Sequence, residues 1–243
     1  MLLWHLHSLH LALKPTPTTD RSLLYSVFVA IVLFFVPCNL HARVFEENSL
    51  LQSTSSESSD LLLVTVWILK TADNHQRPFI VLDKKSARIF VYDPQGIPLG
   101  DAPVLLGLAI GDFLPPGISS KPLSQIPPED RITQAGRYYA RRGKDSNGKE
   151  VLWVDYDSAL AIHPVVTGNV QQRRMERLQS PTIADNRISW GCINVLADFY
   201  IKVISPAFAR NGFVYILPET MPVSEFFGIG KGKTVPPALQ LLQ

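Results

Sequence analysis

The chain has 243 residues, 46% of them hydrophobic and 18% charged, a balance that excludes an intrinsically disordered protein. Lys and Arg number 23 against 21 Asp and Glu, so the net charge is only +2. That excludes the basic excess of a dedicated nucleic-acid binder, and no nucleic-acid partner is expected.

The first feature in chain order is the apolar run 23–36, LLYSVFVAIVLFFV. Lys14 and Arg21 precede it, Pro37 ends it, and Leu40-His41-Ala42 offers a small residue for cleavage. A positive n-region, a short apolar core and an Ala-terminated end make a secretory signal peptide. The run is shorter than the about 20 apolar residues of a bilayer span. An uncleaved anchor, with N-terminal membrane association, is the alternative. A lipid anchor on Cys38 is a third reading, and Pro37 fits poorly beside it. All three export the remainder to the periplasm or cell envelope. Residues 43–77 then read as a linker and leading helix, 78–220 as one domain, and 221–243 as a weakly patterned tail.

Residues 48–59 are polar and serine-rich, as a linker is. The apolar run 60–71 has the length of a buried helix capped by Ser59 or Asp60, while its β-branched content keeps a strand open. Runs 79–83 and 87–92 predict a hairpin across Lys84-Lys85-Ser86. Asp93-Pro94-Gln95-Gly96 is a type I turn, and 104–110 is a third buried run. Residues 111–133 hold five prolines and little periodicity, a long loop of the kind that is usually functional or disordered. Runs 136–142, 151–155 and 159–163 are strand candidates. Residues 169–178 predict a charged surface helix capped by Asn169, 187–193 a strand end, 195–204 a helix limited by Pro206, and 213–217 a final strand. The fold class is mainly β with a few helices.

The segment Ser189-Trp190-Gly191-Cys192-Ile193-Asn194 carries the chemistry. Beyond the signal region Cys192 is the lone cysteine, so it is either buried and inert or kept for reactivity. Gly191 lets the backbone approach a substrate closely. Asn194 is a good N-cap for a helix from Val195, which would set Cys192 at a helix start, where thiolate is favoured. The peptide N–H groups there are placed to stabilise an oxyanion. Two histidines follow the signal region. His75 lies in a polar connection, and His163 closes an apolar strand ahead of Pro164, which makes it the candidate general base for Cys192. One Cys and two His without paired spacing do not make a structural zinc site. Neither a metal nor a cofactor is expected.

The segment, with His163 before it, resembles the L,D-transpeptidase family, whose YkuD-type catalytic domain is marked by a histidine and then Ser/Thr-His-Gly-Cys-hydrophobic-Asn/Arg. Five of the six motif positions match. The resemblance extends over 78–218, through the early hairpin, the Thr133-Gln134-Ala135-Gly136-Arg137-Tyr138 segment, and Arg187 two residues before the serine. There are departures. Trp190 stands where the family has His, and the charged stretch 169–178 lengthens the gap between His163 and Ser189, as an insertion that would form a lid or narrow the cleft.

The resemblance implies a β-sandwich-type catalytic domain over 78–220 that acts on peptidoglycan stem peptides. Cys192 would attack the L,D amide carbonyl to give a thioester, with His163 as base. Gly191 and Cys192 N–H groups would form the oxyanion hole, with Ser189 and Asn194 in support. Arg187 and Trp190 would contact substrate, Arg187 through a stem-peptide carboxylate. An amine acceptor gives transpeptidation and water gives L,D-carboxypeptidation. A wall-binding domain of the same fold without turnover is the other class. Arg137, Arg141, Arg142, Arg173 and Arg174 read as solvated faces.

Overall fold

A computed structural model describes residues 58–230. The apolar run 23–36, Cys38, most of the serine-rich linker and the end of the tail lie outside the described residues.

Helix α1 (Ser59–Thr71) buries Leu61, Val64 and Ile68 along one stripe. It starts one residue earlier than the sequence suggests, because the Ser58 hydroxyl accepts the Leu61 N–H at 3.1 Å. Left-handed Ala72, at φ 52°, ends it. Strands β1 (Phe79–Asp83) and β2 (Arg88–Tyr92) form the expected hairpin. An unexpected strand follows, β3 (Pro98–Pro103), on the sheet edge. Its prolines and glycine conceal it in the sequence, and an edge is where a strand tolerates them. The expected buried run 104–110 is only partly so. Val104, Leu105 and Leu106 are buried, β4 is just Leu106–Gly107, and Ile110 is exposed.

Strands β5 (Gly136–Lys144), β6 (Glu150–Asp155) and β7 (Leu160–Pro164) form a meander. Then come β8 (Arg187–Ser189), β9 (Ile193–Val195) and β10 (Gly212–Ile216). The eight-stranded sheet runs β3-β2-β1-β10-β5-β6-β7-β9, and β4 and β8 form a second, two-stranded sheet. The β1–β10, β7–β9 and β4–β8 pairs are parallel. Residues 104 and 105 join the two edges of the large sheet. Val104 N–H bonds Ala87 O beside β2, and Leu105 exchanges two backbone bonds of 2.9 Å with Asn194 in β9. The sheet is thus nearly closed on itself, and the fold is mainly β with few helices, as expected.

Strand β1 shows how the two cores divide. Ile80 and Leu82 face one core, Phe79 and Val81 the other, as alternation requires. The first core is covered by a helical run over 197–207, α3, made of Ala197–Phe199, a π segment Tyr200–Ile204 and Ser205–Ala207. Pro206 lies inside this run rather than limiting it. The wider π turn accommodates a residue with no N–H to return to the preceding turn. The second core packs α1 against Val223, Phe226 and Phe227 of α4 (Val223–Phe226) and its end, so the first part of the tail is structured. Among the described residues no helix is long and apolar enough to cross a membrane.

Stretch 169–178 is not one helix. Asn169 caps a single turn, Val170–Gln172, left-handed Arg173 breaks the run, and α2 is Arg174–Gln179. The long loop 111–133 contains three short turns and is held at both ends by one buried side chain. Lys84 Nζ donates to Gly111 O at 2.5 Å, Asp112 Oδ1 at 2.9 Å and Thr133 O at 3.0 Å. All three of its donors are used, which is the condition for burying an ammonium.

Candidate active site

Strands β8 and β9, which pair in different sheets, are linked by the turn 190–192, which carries Trp190, Gly191 and Cys192. Ser189 clasps this turn. Its hydroxyl donates to Cys192 O at 2.6 Å and accepts the Gly191 N–H at 3.1 Å. Thr133 holds the turn from the other side, donating to Gly191 O and accepting from Gly107 N–H, each at 2.8 Å. Gly191 has φ 128°, and a Cβ there would lie 2.9 Å from Ile132 O. Both facts demand glycine. Gly191→Ala is expected to cost about 1–3 kcal/mol, read as a lowered urea midpoint, and to misplace Cys192. A variant as stable as the parent would mean the turn shifts without strain.

The turn faces a cavity of about 310 Å³. Loop 111–133 forms one wall through Leu114, Ile118 and Ile132, and residues 158–174 form the other. Cys192, His163, Ser189, Gly191, Asn194 and Trp190 all line it. Trp190 is capped by Arg131, whose guanidinium carbon lies 3.5 Å from the ring centroid. This cation–π stack ties the loop wall to the motif.

His163 lies directly opposite Asn194 in the β7–β9 ladder. Its Nδ1 is 2.8 Å from Pro164 O, which can only accept, so Nδ1 carries the proton. Nε2 therefore accepts, from Asn194 Nδ2 at 3.1 Å. Burial lowers the imidazole pKa, ahead of the opposing Pro164 contact. The Cys192 thiol donates to Ala159 O at 3.3 Å. Burial raises its pKa, while the Ala161 N–H and the Arg174 charge pull it down by less. The two side chains thus share one cavity as a neutral pair, each hydrogen-bonded to a different partner.

The helix-start expectation for Cys192 is corrected. Ile193, Asn194 and Val195 form a strand, since both β-branched residues bury against β7 and Asn194 pairs with Leu105. Asn194 caps nothing, and the helix begins only at Ala197, too far for its dipole to act on the thiol. The expected oxyanion hole also changes, because the Gly191 N–H is directed at Ser189 Oγ.

Arg187 is corrected as well. It lies outside the cavity lining and holds Glu219 with both terminal nitrogens, in a buried cluster with Lys84 and Asp112. A guanidinium so committed is not available to a substrate carboxylate. Arg137, Arg142 and Arg173 pair with Asp73, Glu150 and Glu176. Arg174 departs from the expected solvated face and lines the cavity. The sequence carries a signal for this. Arg174 lies four residues before Leu178, which is fully buried, so both occupy the inward stripe of α2. His75, the other candidate imidazole, packs at 5.6 Å on Phe213 and does not line the cavity.

No family model and no curated protein matches the chain. Among solved structures it is similar to the helical cell shape determining protein Pgp2 from Campylobacter jejuni, at 13% identity and a TM-score of 0.38, over 60% of this chain and 49% of that one. A lysine-to-alanine variant of the same protein aligns at 14% identity and a TM-score of 0.39, over 60% and 48%. The chain therefore spans about half the length of these structures.

Proposed function

We propose that this chain is an exported cysteine acyltransferase of the L,D-transpeptidase kind, acting on peptidoglycan stem peptides. The observation that carries the reading is the convergence of Cys192 and His163 on one cavity, at a turn fixed by Ser189 and Thr133. The sequence motif supplies the reaction class. In that reaction the Cys192 sulfur bonds to the carbonyl carbon of the L,D amide, and His163 Nε2 takes the thiol proton. The C–N bond breaks, the terminal D-residue leaves as an amine carrying that proton, and a thioester remains. An acceptor amine from a second stem then attacks and gives a proton to His163. The sulfur departs and is reprotonated. Water in place of the amine gives hydrolysis.

A second reading is a wall-binding domain without turnover. It draws on the bond that holds His163 Nε2 to Asn194 and on the raised thiol pKa. Incubating the purified protein with tetrapeptide muropeptides and weighing the products separates the readings. Cross-linked dimer is the expected product for transfer, and tripeptide is the product of hydrolysis. Tetrapeptide that is bound but unchanged would overturn the enzymatic reading in favour of binding.

A further inference from the structure

Arg174 opens α2, and its side chain lies in the cavity wall beside Cys192. It is half-buried. Its partners are two neutral amide oxygens, Gln172 Oε1 at 2.6 Å from Nε and Asn194 Oδ1 at 2.5 Å from Nη1. Arg88, Arg137, Arg142, Arg173 and Arg187 each hold a carboxylate, whereas among the described residues Arg174 holds none. Burial lowers its pKa, against a smaller opposing influence from the Cys192 sulfur. A partly desolvated guanidinium without a counter-ion is costly, and its fork of donors matches a carboxylate.

The bond to Asn194 gives this cation reach. A guanidinium can only donate, so it fixes Oδ1 of Asn194 toward itself and turns Nδ2 toward His163 Nε2. The nitrogen that must take the thiol proton is therefore held by a chain that begins at Arg174. A carboxylate is a stronger acceptor for a guanidinium than an amide oxygen. Its arrival would draw Nη1 off Asn194 and leave the amide free to turn from the imidazole.

We propose that Arg174 is the carboxylate-binding residue of this cavity, and that a ligand carboxylate seated on it releases His163 Nε2 through Asn194. The binding half rests on the stem-peptide reading of the cavity, and the release half rests on the acyl-transfer reading as well. Arg174 would touch the ligand, and Asn194 acts as a positioning residue. The carboxylate is either the C-terminal group of a stem peptide or one of its side-chain groups.

The test uses the full chain with Cys192→Ala, which removes chemistry. It is titrated by calorimetry with a tetrapeptide stem as free acid, as C-terminal amide, and with side-chain carboxylates amidated. The modification that removes the recognised carboxylate is expected to weaken binding about 10- to 100-fold, and the sensitive arm identifies the source. Arg174→Gln should erase the difference, and Arg174→Lys should keep part of it. The His163 Nε2 resonance should move when the recognised acid binds, and stay still in the Arg174→Gln protein. Equal affinity for all three peptides, no binding of any, or an unmoved Nε2 resonance would overturn the proposal. The ligand arms need no Arg174 variant, so a variant that misfolds leaves the test intact. Discriminating binding without product from the Cys192 protein would sink the acyl-transfer reading alone. Equal turnover of the free acid, the C-terminal amide and the side-chain-amidated donor would sink this proposal alone.

Discussion

Replacing Cys192 by alanine is expected to lower conversion of tetrapeptide stems by roughly 10⁴-fold or more, with the urea midpoint unchanged. The side chain is half-buried and its hydrogen bond, to Ala159 O, is a weak one, so little packing is lost. Alkylation of the wild-type thiol carries a second expectation. Burial raises the Cys192 pKa, which reduces thiolate at pH 7 below that of a free cysteine. The rate of reaction with iodoacetamide should therefore rise only above about pH 8.5. Arg174→Gln should move that rise further up, because the guanidinium charge favours thiolate. A profile with its midpoint near pH 7 in the resting protein would contradict the geometry described here. It would also restore the helix-start activation that strand β9 removes. Measured with a carboxylate ligand present, the same profile reports whether occupancy of the cavity changes the thiol.

Lys84→Met is expected to destabilise the protein by about 3–5 kcal/mol, although the side-chain volumes are close. The ammonium is fully buried and joins Asp112 at 2.9 Å and Glu219 at 3.4 Å. Removing it leaves Arg187 as the remaining cation of the cluster, against two carboxylates, and orphans the carbonyls of Gly111 and Thr133. Acid should act on the same cluster. Burial by itself would raise the Asp112 pKa. Hydrogen bonds from Thr220, Lys84 and the Glu219 N–H outweigh it and hold the carboxyl below its ordinary value. A depressed folded-state pKa gives stability that is present above about pH 4 and lost as pH falls through the folded value. Urea midpoints at pH 7 and at pH 3 measure both effects. A Lys84→Met protein within about 1 kcal/mol of the parent at pH 7 would show that the cluster is dispensable, as some buried ion pairs are.

Local pattern revealed much of this molecule. The β1–β2 hairpin, the β5–β7 meander and β10 follow from short β-branched and aromatic runs, and the motif around Cys192 is contiguous. What stayed hidden depends on distant partners. Asn194 has the chemistry of a helix cap, and only the pairing of β9 with β7 and Leu105 makes it a strand residue. Arg187 has the chemistry of a carboxylate binder, and its carboxylate is Glu219, 32 positions away. The edge strand β3 breaks the composition rules because one of its sides is free of a partner. Arg174 was the missed site residue, and its spacing to Leu178 was the available clue.

The grip of Lys84 on Gly111 and Thr133 has an evolutionary consequence. Both feet of the loop that walls the cavity are pinned by a residue of the β1–β2 connection, and one foot is next to the turn that carries Cys192. Between the feet the chain is a closed insert. Doubling the length of such an insert costs only about 0.6 kcal/mol in closure entropy. The segment from Leu114 to Asp130 is therefore a replaceable cassette. Insertions there can reshape which molecules fit against Cys192 while the sheet, its register and the thiol's seat stay as they are.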